Sequence, residues 1–322
     1  MPNDDAFHDQ RVAVLIPCFN EALAIAKVIR DFRAALPFAH IHVFDNASTD
    51  RTVEVAREAG AAVRLVGLRG KGNVVRRMFA DIEADIYVLV DGDATYDASS
   101  ARPMIERLLH EGADMVVGVR KDDNVAGAYR SGHRLGNRIL TGCVALIFGG
   151  QFTDMLSGYR VFTRRYVKSF PALSVGFETE TELTVHALEL RMPWREMDTP
   201  YASRPEGSES KLSTYRDGYR ILRMIVRLFI AERPLTFFGT IALIAFTAGV
   251  AIALPLLGTY LTTHEVPRLP TALLSTGLAL IAALALVCGV VMDAVTRGRR
   301  EMKRLFYLGI PAPSGAVGES ST

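Results

Sequence analysis

Ile86-Tyr87-Val88-Leu89-Val90-Asp91-Gly92-Asp93 is an apolar, β-rich run that ends in two carboxylates one glycine apart. A run of this kind suits a strand buried on both faces, as in the middle of a parallel sheet. Upstream, short apolar runs alternate with amphipathic stretches. Val12–Pro17 reads as a strand, Glu21–Ala35 as a helix, Ile41–Asp45 as a second strand and Ala62–Val66 as a third, with Gly72–Asp81 helical before the opening run. Ser48 or Thr49 is expected to cap the helix that runs through Ala59. Strands joined at this spacing by crossover helices predict a doubly wound α/β domain.

In open α/β sheets ligands bind beyond the carboxyl ends of the strands. Three of these runs leave polar clusters there: Pro17-Cys18-Phe19-Asn20-Glu21, Asp45-Asn46-Ala47-Ser48 and Asp91-Gly92-Asp93. If the strands are parallel, the clusters share one edge. Two carboxylates as close as Asp91 and Asp93 repel unless a cation joins them. Hard oxygen donors with room for water and phosphate suit Mg²⁺ or Mn²⁺. An isolated Asp-Gly-Asp is more often an acidic turn; its place after a buried strand, beside two equivalent clusters, reverses that reading. Arg69-Gly70-Lys71-Gly72 lacks the spacing and the Ser or Thr of a Walker loop. The seven histidines are scattered, against a histidine metal site, and Cys18, Cys143 and Cys288 show no paired metal-ligand spacing.

Of the 322 residues 49% are hydrophobic and 22% charged, and the apolar excess is concentrated near the C-terminus. Leu235–Leu261 (27 residues) and Leu269–Met292 (24 residues) contain no charged residue or histidine; about 20 residues suffice for a helix to cross a bilayer. Arginines at 216, 220, 223, 227 and 233 precede the first segment, and Arg297, Arg299, Arg300, Lys303 and Arg304 follow the second. Positive-inside bias then puts both chain ends and the domain before the spans in the cytoplasm, and the expected localisation is a multi-pass protein of the inner membrane. The expected organisation is an arm (1–10), a soluble domain (11–214), an amphipathic interfacial helix (215–233), two spans (234–294) and a tail (295–322). A bland alternative for residues 215–233 is a helix packed on the domain. The net charge of +2 and the placing of the basic clusters argue against a nucleic-acid partner.

The ordered set IPCFNE, FDNASTDRT, RGKGN, VLVDGDATYD and SGYRVFTR resembles the family-2 glycosyltransferases of GT-A type. Two C-terminal spans and the segment RPEGSESKL are similar to the polyprenyl-phosphate glycosyltransferases among them, the relatives of dolichol-phosphate mannose synthase and the bacterial undecaprenyl-phosphate glucosyltransferases. The resemblance covers about residues 11–233. It implies a GT-A domain followed by a two-helix transmembrane hairpin, and inverting transfer of a hexose from a nucleotide-diphosphate sugar to a polyprenyl phosphate at the cytoplasmic membrane face. By resemblance, Pro17, Phe19, Glu21, Asp45, Asn46, Lys71, Asp91, Gly92, Asp93, Arg204 and Lys211 bind the nucleotide sugar. Asp91 and Asp93 hold Mg²⁺ or Mn²⁺, and Arg120, Arg130 and Arg134 bind the acceptor phosphate. Phe19 stands where many relatives have tyrosine, and Asn46 where a second aspartate is common. Ser210 and Gly207 belong to a gating loop. Asp93 and Asp154 are the expected catalytic acids, with Asp154 either a general base or a structural partner of Arg160. Glu178, Glu180 and Glu182 lie on one helix and serve to solvate it, Glu180 being the one that faces the site.

The expected partners are a nucleotide-diphosphate sugar, a polyprenyl phosphate and the membrane, with a homo-oligomer left open. Two other functions compete. A processive polysaccharide synthase shares the catalytic domain type, but has more spans and a Gln-x-x-Arg-Trp motif absent around Trp194. A non-catalytic membrane scaffold that binds nucleotide sugars would not need both Asp91 and Asp93. No residue selects the sugar; UDP-glucose is the first choice and GDP-mannose the second.

Overall fold

The computed structural model describes residues 10–121, 131–150, 152–205 and 214–313. Seven strands form one sheet in the order β3-β2-β1-β4-β6-β5-β7. They are β1 (Val12–Cys18), β2 (His40–Asp45), β3 (Ala62–Leu65), β4 (Ile86–Leu89), β5 (Met115–Lys121), β6 (Arg160–Thr163) and β7 (Trp194–Pro200). The first four are parallel, as the alternating pattern predicts. β6 runs antiparallel between β4 and β5, and β7 is parallel to β5. The sheet is therefore mixed, the GT-A arrangement, rather than uniformly parallel. The reversal has a consequence for the site: Arg160, the first residue of β6, pairs with Leu89 and Val117 near the carboxyl ends of its neighbours. The segment before β6 is thus delivered to the same edge as Asp91.

Helices cover both faces, which is why β1 and β4 can be apolar at every position. Val12, Val14 and Ile16 meet Ile25, Val28, Ile29 and Phe32 of α1 (Ile25–Ala35) and Met104, Ile105 and Leu108 of α4 (Ala101–His110) in one core. The opposite face of β4 turns Tyr87 toward Phe79 of α3 (Lys71–Asp81), and Phe79 also makes edge-to-face contact with Phe162. Burying each such large aliphatic or aromatic side chain contributes about 1.5–3 kcal/mol. The helix after β2, α2 (Thr52–Glu58), begins later than the expected cap allows. Asp50 accepts from the Thr52 backbone N–H and hydroxyl. Ser48 and Thr49 instead accept bonds from Asn20, tying the exit of β1 to the exit of β2.

The remaining helices are α5 (Ser131–Phe148), α6 (Arg164–Ser169), α7 (Thr179–Leu190), α8 (Thr214–Glu232), α9 (Pro234–Thr263) and α10 (Leu269–Leu308). The chain divides into two compact units, one running to Met224 and resuming at Lys303, the other Ile225–Met302. The division falls inside α8 rather than at its ends. On α8, Ile221, Met224, Ile225 and Leu228 are buried within the protein, while Tyr219, Leu222 and Val226 are exposed together with Arg220, Arg223 and Arg227.

In the second unit α9 and α10 are both long and apolar enough to cross a membrane. Small residues let them approach: Ser275 donates to the Gly249 carbonyl at 3.0 Å, and a Cβ at Gly249 would stand 3.3 Å from Leu278 Cβ. Arg299 and Arg300, two of the flanking cations, donate to the carbonyls of Ala231 and Glu232 at the end of α8. Within the first unit the end of α10 is not a free tail. Lys303 pairs with Glu189 at 2.8 Å, and Tyr307 donates to Asp114 at 2.7 Å while its ring lies under Arg165. Nothing between Met292 and Leu308 breaks a helix, so the apolar run continues into a basic helical one.

Candidate active site

The exits of β1, β2 and β4 converge on one edge, and each contains a non-glycine residue in the left-handed region: Asn20, Ala47 and Ala94. Three such residues at one sheet edge mark backbone strain of the kind that collects at functional sites. Gly92 is required by packing. A Cβ there would lie 2.5 Å from Cys18 Sγ and 3.3 Å from Ile16 Cγ2, so only glycine lets the Asp91–Asp93 turn rest on the end of β1. From the other side, a Cβ at Gly158 would meet Asp91 Oδ2 at 2.4 Å. Asp91 therefore sits in a slot whose walls are the exit of β1 and the entry to β6.

Both carboxylates hold cations. Lys71 Nζ lies 2.5 Å from Asp91 Oδ1 and 2.5 Å from Glu180 Oε1. Arg204 reaches Asp93 Oδ2 at 2.6 Å and Glu21 Oε1 at 3.5 Å. Asp93 also accepts from the hydroxyl and backbone N–H of Thr95. Burial, then the charge of Asp91, pushes the Asp93 carboxyl above its usual range, against the pull of Arg204 and Thr95. Burial works against the charge on Lys71, but Asp91 and Glu180 outweigh it and the net shift is upward. Burial likewise raises Glu180, with Lys71 opposing.

On the β5 side Arg120 makes a bidentate pair with Asp154, Nε to Oδ2 at 2.6 Å and Nη2 to Oδ1 at 2.7 Å, and its guanidinium lies over the Tyr201 ring. The expected link from Asp154 to Arg160 is replaced by this one. Arg160 is wholly buried and donates to the carbonyls of Ser157 and Met155 and to Thr184. Tyr96 accepts from the Gly158 N–H at 3.0 Å, and burial raises its phenol pKa far above the ordinary value.

The remaining expected residues fall as follows. Phe19 is half-buried beneath the Arg69 guanidinium, 4.9 Å from its centroid. Asp45 is buried; Oδ2 accepts from the Ser48 N–H and Oδ1 has no hydrogen-bond partner. Asn46 spends its amide on the following loop, donating to the carbonyls of Val66 and Leu68 and accepting from the Gly70 N–H. Pro17 lies at the end of β1. Glu182, expected to solvate its helix, is buried and accepts from Leu173, Ser174 N–H and the Ser174 hydroxyl. Glu178 accepts from the N–H groups of Val175 and Gly176. Gly207, Ser210, Lys211 and Arg130 lie outside the described residues, as does the side chain of Arg134 on α5. Thr95, Tyr96, Gly158 and Tyr201 were not singled out from the sequence. Thr95 and Tyr96 directly follow the Asp-Gly-Asp turn, and Gly158 is in the SGYR motif, so proximity to a motif was their only signal.

Two hard carboxylates one residue apart, one of them buried with a raised pKa, fit a divalent cation. Among the described residues no group of three or more His, Cys, Asp or Glu could hold a metal. Any further ligands there would be water and phosphate oxygens.

The comparisons bear on this geometry directly. A sequence model described as Glycosyl transferase family 2 matches residues 13–169. Glycosyltransferase AglJ of Haloferax volcanii is 37% identical over 310 residues, which is 95% of this chain and 99% of that one. The chain belongs to glycosyltransferase family 2. It is a nucleotide-sugar transferase related to lipid-phosphate hexose transferases: a dolichyl-phosphate hexose transferase of the same organism is 26% identical over 69% of this chain and 95% of its own. Among solved structures, glucosyl-3-phosphoglycerate synthase of Mycobacterium tuberculosis, in complex with Mn²⁺, UDP and phosphoglyceric acid, superposes with a TM-score of 0.57. It is 20% identical and covers 70% of this chain and 79% of its own. At that identity the likeness establishes the GT-A fold.

Proposed function

We propose that this glycosyltransferase moves a hexose, with inversion, from a nucleotide-diphosphate sugar to a polyprenyl phosphate at the cytoplasmic face of a membrane. The observation that carries the reading is the joining of one sheet edge, with Asp91, Asp93 and Arg120 on it, to two helices of membrane-crossing length in the same chain. The full-length likeness to AglJ and the likeness to a dolichyl-phosphate hexose transferase support it. UDP-glucose is the first donor to try, since UDP is the nucleotide in the mycobacterial synthase.

In this reading Asp45 and the Phe19–Arg69 stack receive the nucleoside, and Asn46 keeps the loop that carries Lys71 in place. Asp91 and Asp93 would hold Mg²⁺ or Mn²⁺, which when bound supplies positive charge to the diphosphate leaving group; the mycobacterial synthase contains Mn²⁺. Lys71 and Arg204, with Lys211, would supply side-chain cations to the diphosphate. A lipid phosphate is already anionic at neutral pH and needs no strong base to attack the anomeric carbon. It needs to be held beside a second anion, and Arg120, with Arg130 and Arg134, takes that task. Both Asp154 oxygens are engaged by Arg120, so Asp154 acts by orienting that guanidinium. The test is conversion of radiolabelled nucleotide sugar to a lipid-extractable product by membranes containing the chain, across a panel of donors with undecaprenyl phosphate. Product should vanish in excess chelator. Label that enters a polymer, or no product with any donor, would reject the reading.

A further inference from the structure

The environment of Lys71 holds more than donor binding requires. Its ammonium is shared at equal distance between Asp91 Oδ1 and Glu180 Oε1, and the side chain is 9% exposed. Glu180 is buried, and its second oxygen, Oε2, has no hydrogen-bond partner. The surroundings fix this arrangement. Gly70 and Gly72 lie so close to the backbone of Val175 and Ser174 that a Cβ on either would fall 2.2 Å and 2.4 Å from their carbonyl oxygens. The start of α3, which carries Lys71, is thereby pressed against the chain leading into α7, which carries Glu180. Gly158 closes the third side, with its Cβ position 3.1 Å from Lys71 Nζ.

A divalent cation on Asp91 would stand within a few ångströms of this ammonium, and like charges at such range oppose each other strongly in a buried site. The ammonium must then yield Asp91, and a buried ammonium without a counter-charge is costly. Glu180 removes that cost. It already shares the ammonium and has a carboxylate oxygen to spare.

We propose that Lys71 is a placeholder cation and Glu180 its holding site: the ammonium neutralises Asp91 before a divalent cation arrives, and rests wholly on Glu180 once Asp91 is taken. Glu180 is thus a positioning residue that acts on the metal through Lys71. The inference rests on the reading of Asp91 and Asp93 as metal ligands.

The two residues should shift metal affinity in opposite directions, and the measurement requires no turnover. The full chain in detergent is titrated with Mn²⁺ alone, and free Mn²⁺ is read by electron paramagnetic resonance. Glu180→Gln should weaken binding about ten-fold, because Lys71 then has only Asp91 as a full counter-charge; Lys71→Met should tighten it about ten-fold. The Lys71→Met/Glu180→Gln double variant should match Lys71→Met within about two-fold, since Glu180 has nothing left to act through. Equal weakening by Glu180→Gln in both backgrounds would make Glu180 a direct electrostatic or ligand contributor and overturn the proposal, as would unchanged affinity in both single variants. If Lys71→Met loses its cooperative melt, Lys71→Gln carries the same expectation. Asp91→Asn separates the two levels of argument. Wild-type Mn²⁺ binding that survives Asp91→Asn removes the metal reading along with this inference, whereas loss of binding there with no response at Lys71 and Glu180 removes this inference alone.

Discussion

Replacing Gly92 with alanine tests whether the Asp91–Asp93 turn is held against β1 as tightly as its contacts state. The new Cβ would lie 2.5 Å from Cys18 Sγ, 3.3 Å from Ile16 Cγ2 and 3.5 Å from Ile25 Cδ1. The first distance is about an ångström short of an ordinary contact, and all three neighbours are buried, so none can swing into solvent. Overpacking of a closed core costs about 1–3 kcal/mol. For a domain of this size that is an apparent melting point lower by roughly 2–12 °C. Relief by backbone movement would carry both carboxylates with it, and a displacement approaching 1 Å costs about a hundred-fold in rate. Cys18→Ala removes the nearest obstacle at the expense of a small cavity. The Cys18→Ala/Gly92→Ala variant should therefore be more stable than the sum of the single effects by at least about 1 kcal/mol, and should regain transfer activity. Melting in detergent and the lipid-transfer assay read the two quantities. Strictly additive losses, or a Gly92→Ala protein with wild-type stability and activity, would refute the account of why glycine separates the two acids.

Three further outcomes are expected. Arg120→Ala should remove one or more charge-assisted bonds to the acceptor phosphate, each worth about 1.5–3 kcal/mol, and so lower transfer about ten- to hundred-fold. Asp154→Asn should lower transfer in the same direction, and calorimetry should find nucleotide affinity unchanged in both; a parallel loss of nucleotide affinity would assign Arg120 to the donor. A reporter fused after Thr322 should be cytoplasmic and a tag within 262–270 reachable from outside, and a shared side for both would reject the topology. Burial, with Lys303 nearby, depresses the pKa of His186 to about 3. The unfolded chain then binds a proton that the native one does not between pH 6.5 and 3, so stability from this residue is present above 6.5 and lost as pH falls. The loss is about 2 kcal/mol by pH 5. His186→Gln should flatten the acid limb of melting temperature against pH, and an unchanged limb would remove His186 as its source.

The part of the site at the exits of β1, β2 and β4 is legible because its residues leave strands with apolar runs. Asp91 follows an uninterrupted apolar run, Asp45 ends β2 and Glu21 lies just beyond β1, and parallel pairing of β1, β2 and β4 brings them to one edge. The side of the site at β5 and β6 is less legible because β6 is reversed, and the four-residue run Arg160–Thr163 carries no sign of its direction. That reversal decides that Asp154 meets Arg120 rather than Arg160. Glu182 of α7 defeated pattern reading for another reason. Thr179–Leu190 is buried around most of its circumference, so Glu182 looks like part of a solvated face in sequence while it is enclosed and partnered in the fold; Glu180, the one expected to face the site, meets Lys71. On α8 an apolar stripe does not by itself say whether protein or lipid covers it.

The ion pairs also explain why a divalent cation suits this site. Lys71 lies between Asp91 and Glu180, Arg204 between Asp93 and Glu21, and Arg120 on Asp154. Among the described residues these sets bring five carboxylates and three cations together in a largely buried place. Burial, and then the charge of neighbouring Asp91, raises the pKa of two of the acids, Asp93 and Glu180, against the pull of Arg204 and Lys71. In the proposed reading a nucleotide diphosphate and a lipid phosphate would add negative charge beside these carboxylates. In the proposed reading a divalent cation shared with the diphosphate would offset the charge of Asp91 and Asp93, and would leave Arg204 and Arg120 to face the two substrates. The carboxylates that seem to oppose anion binding thus create the demand for the ion that permits it.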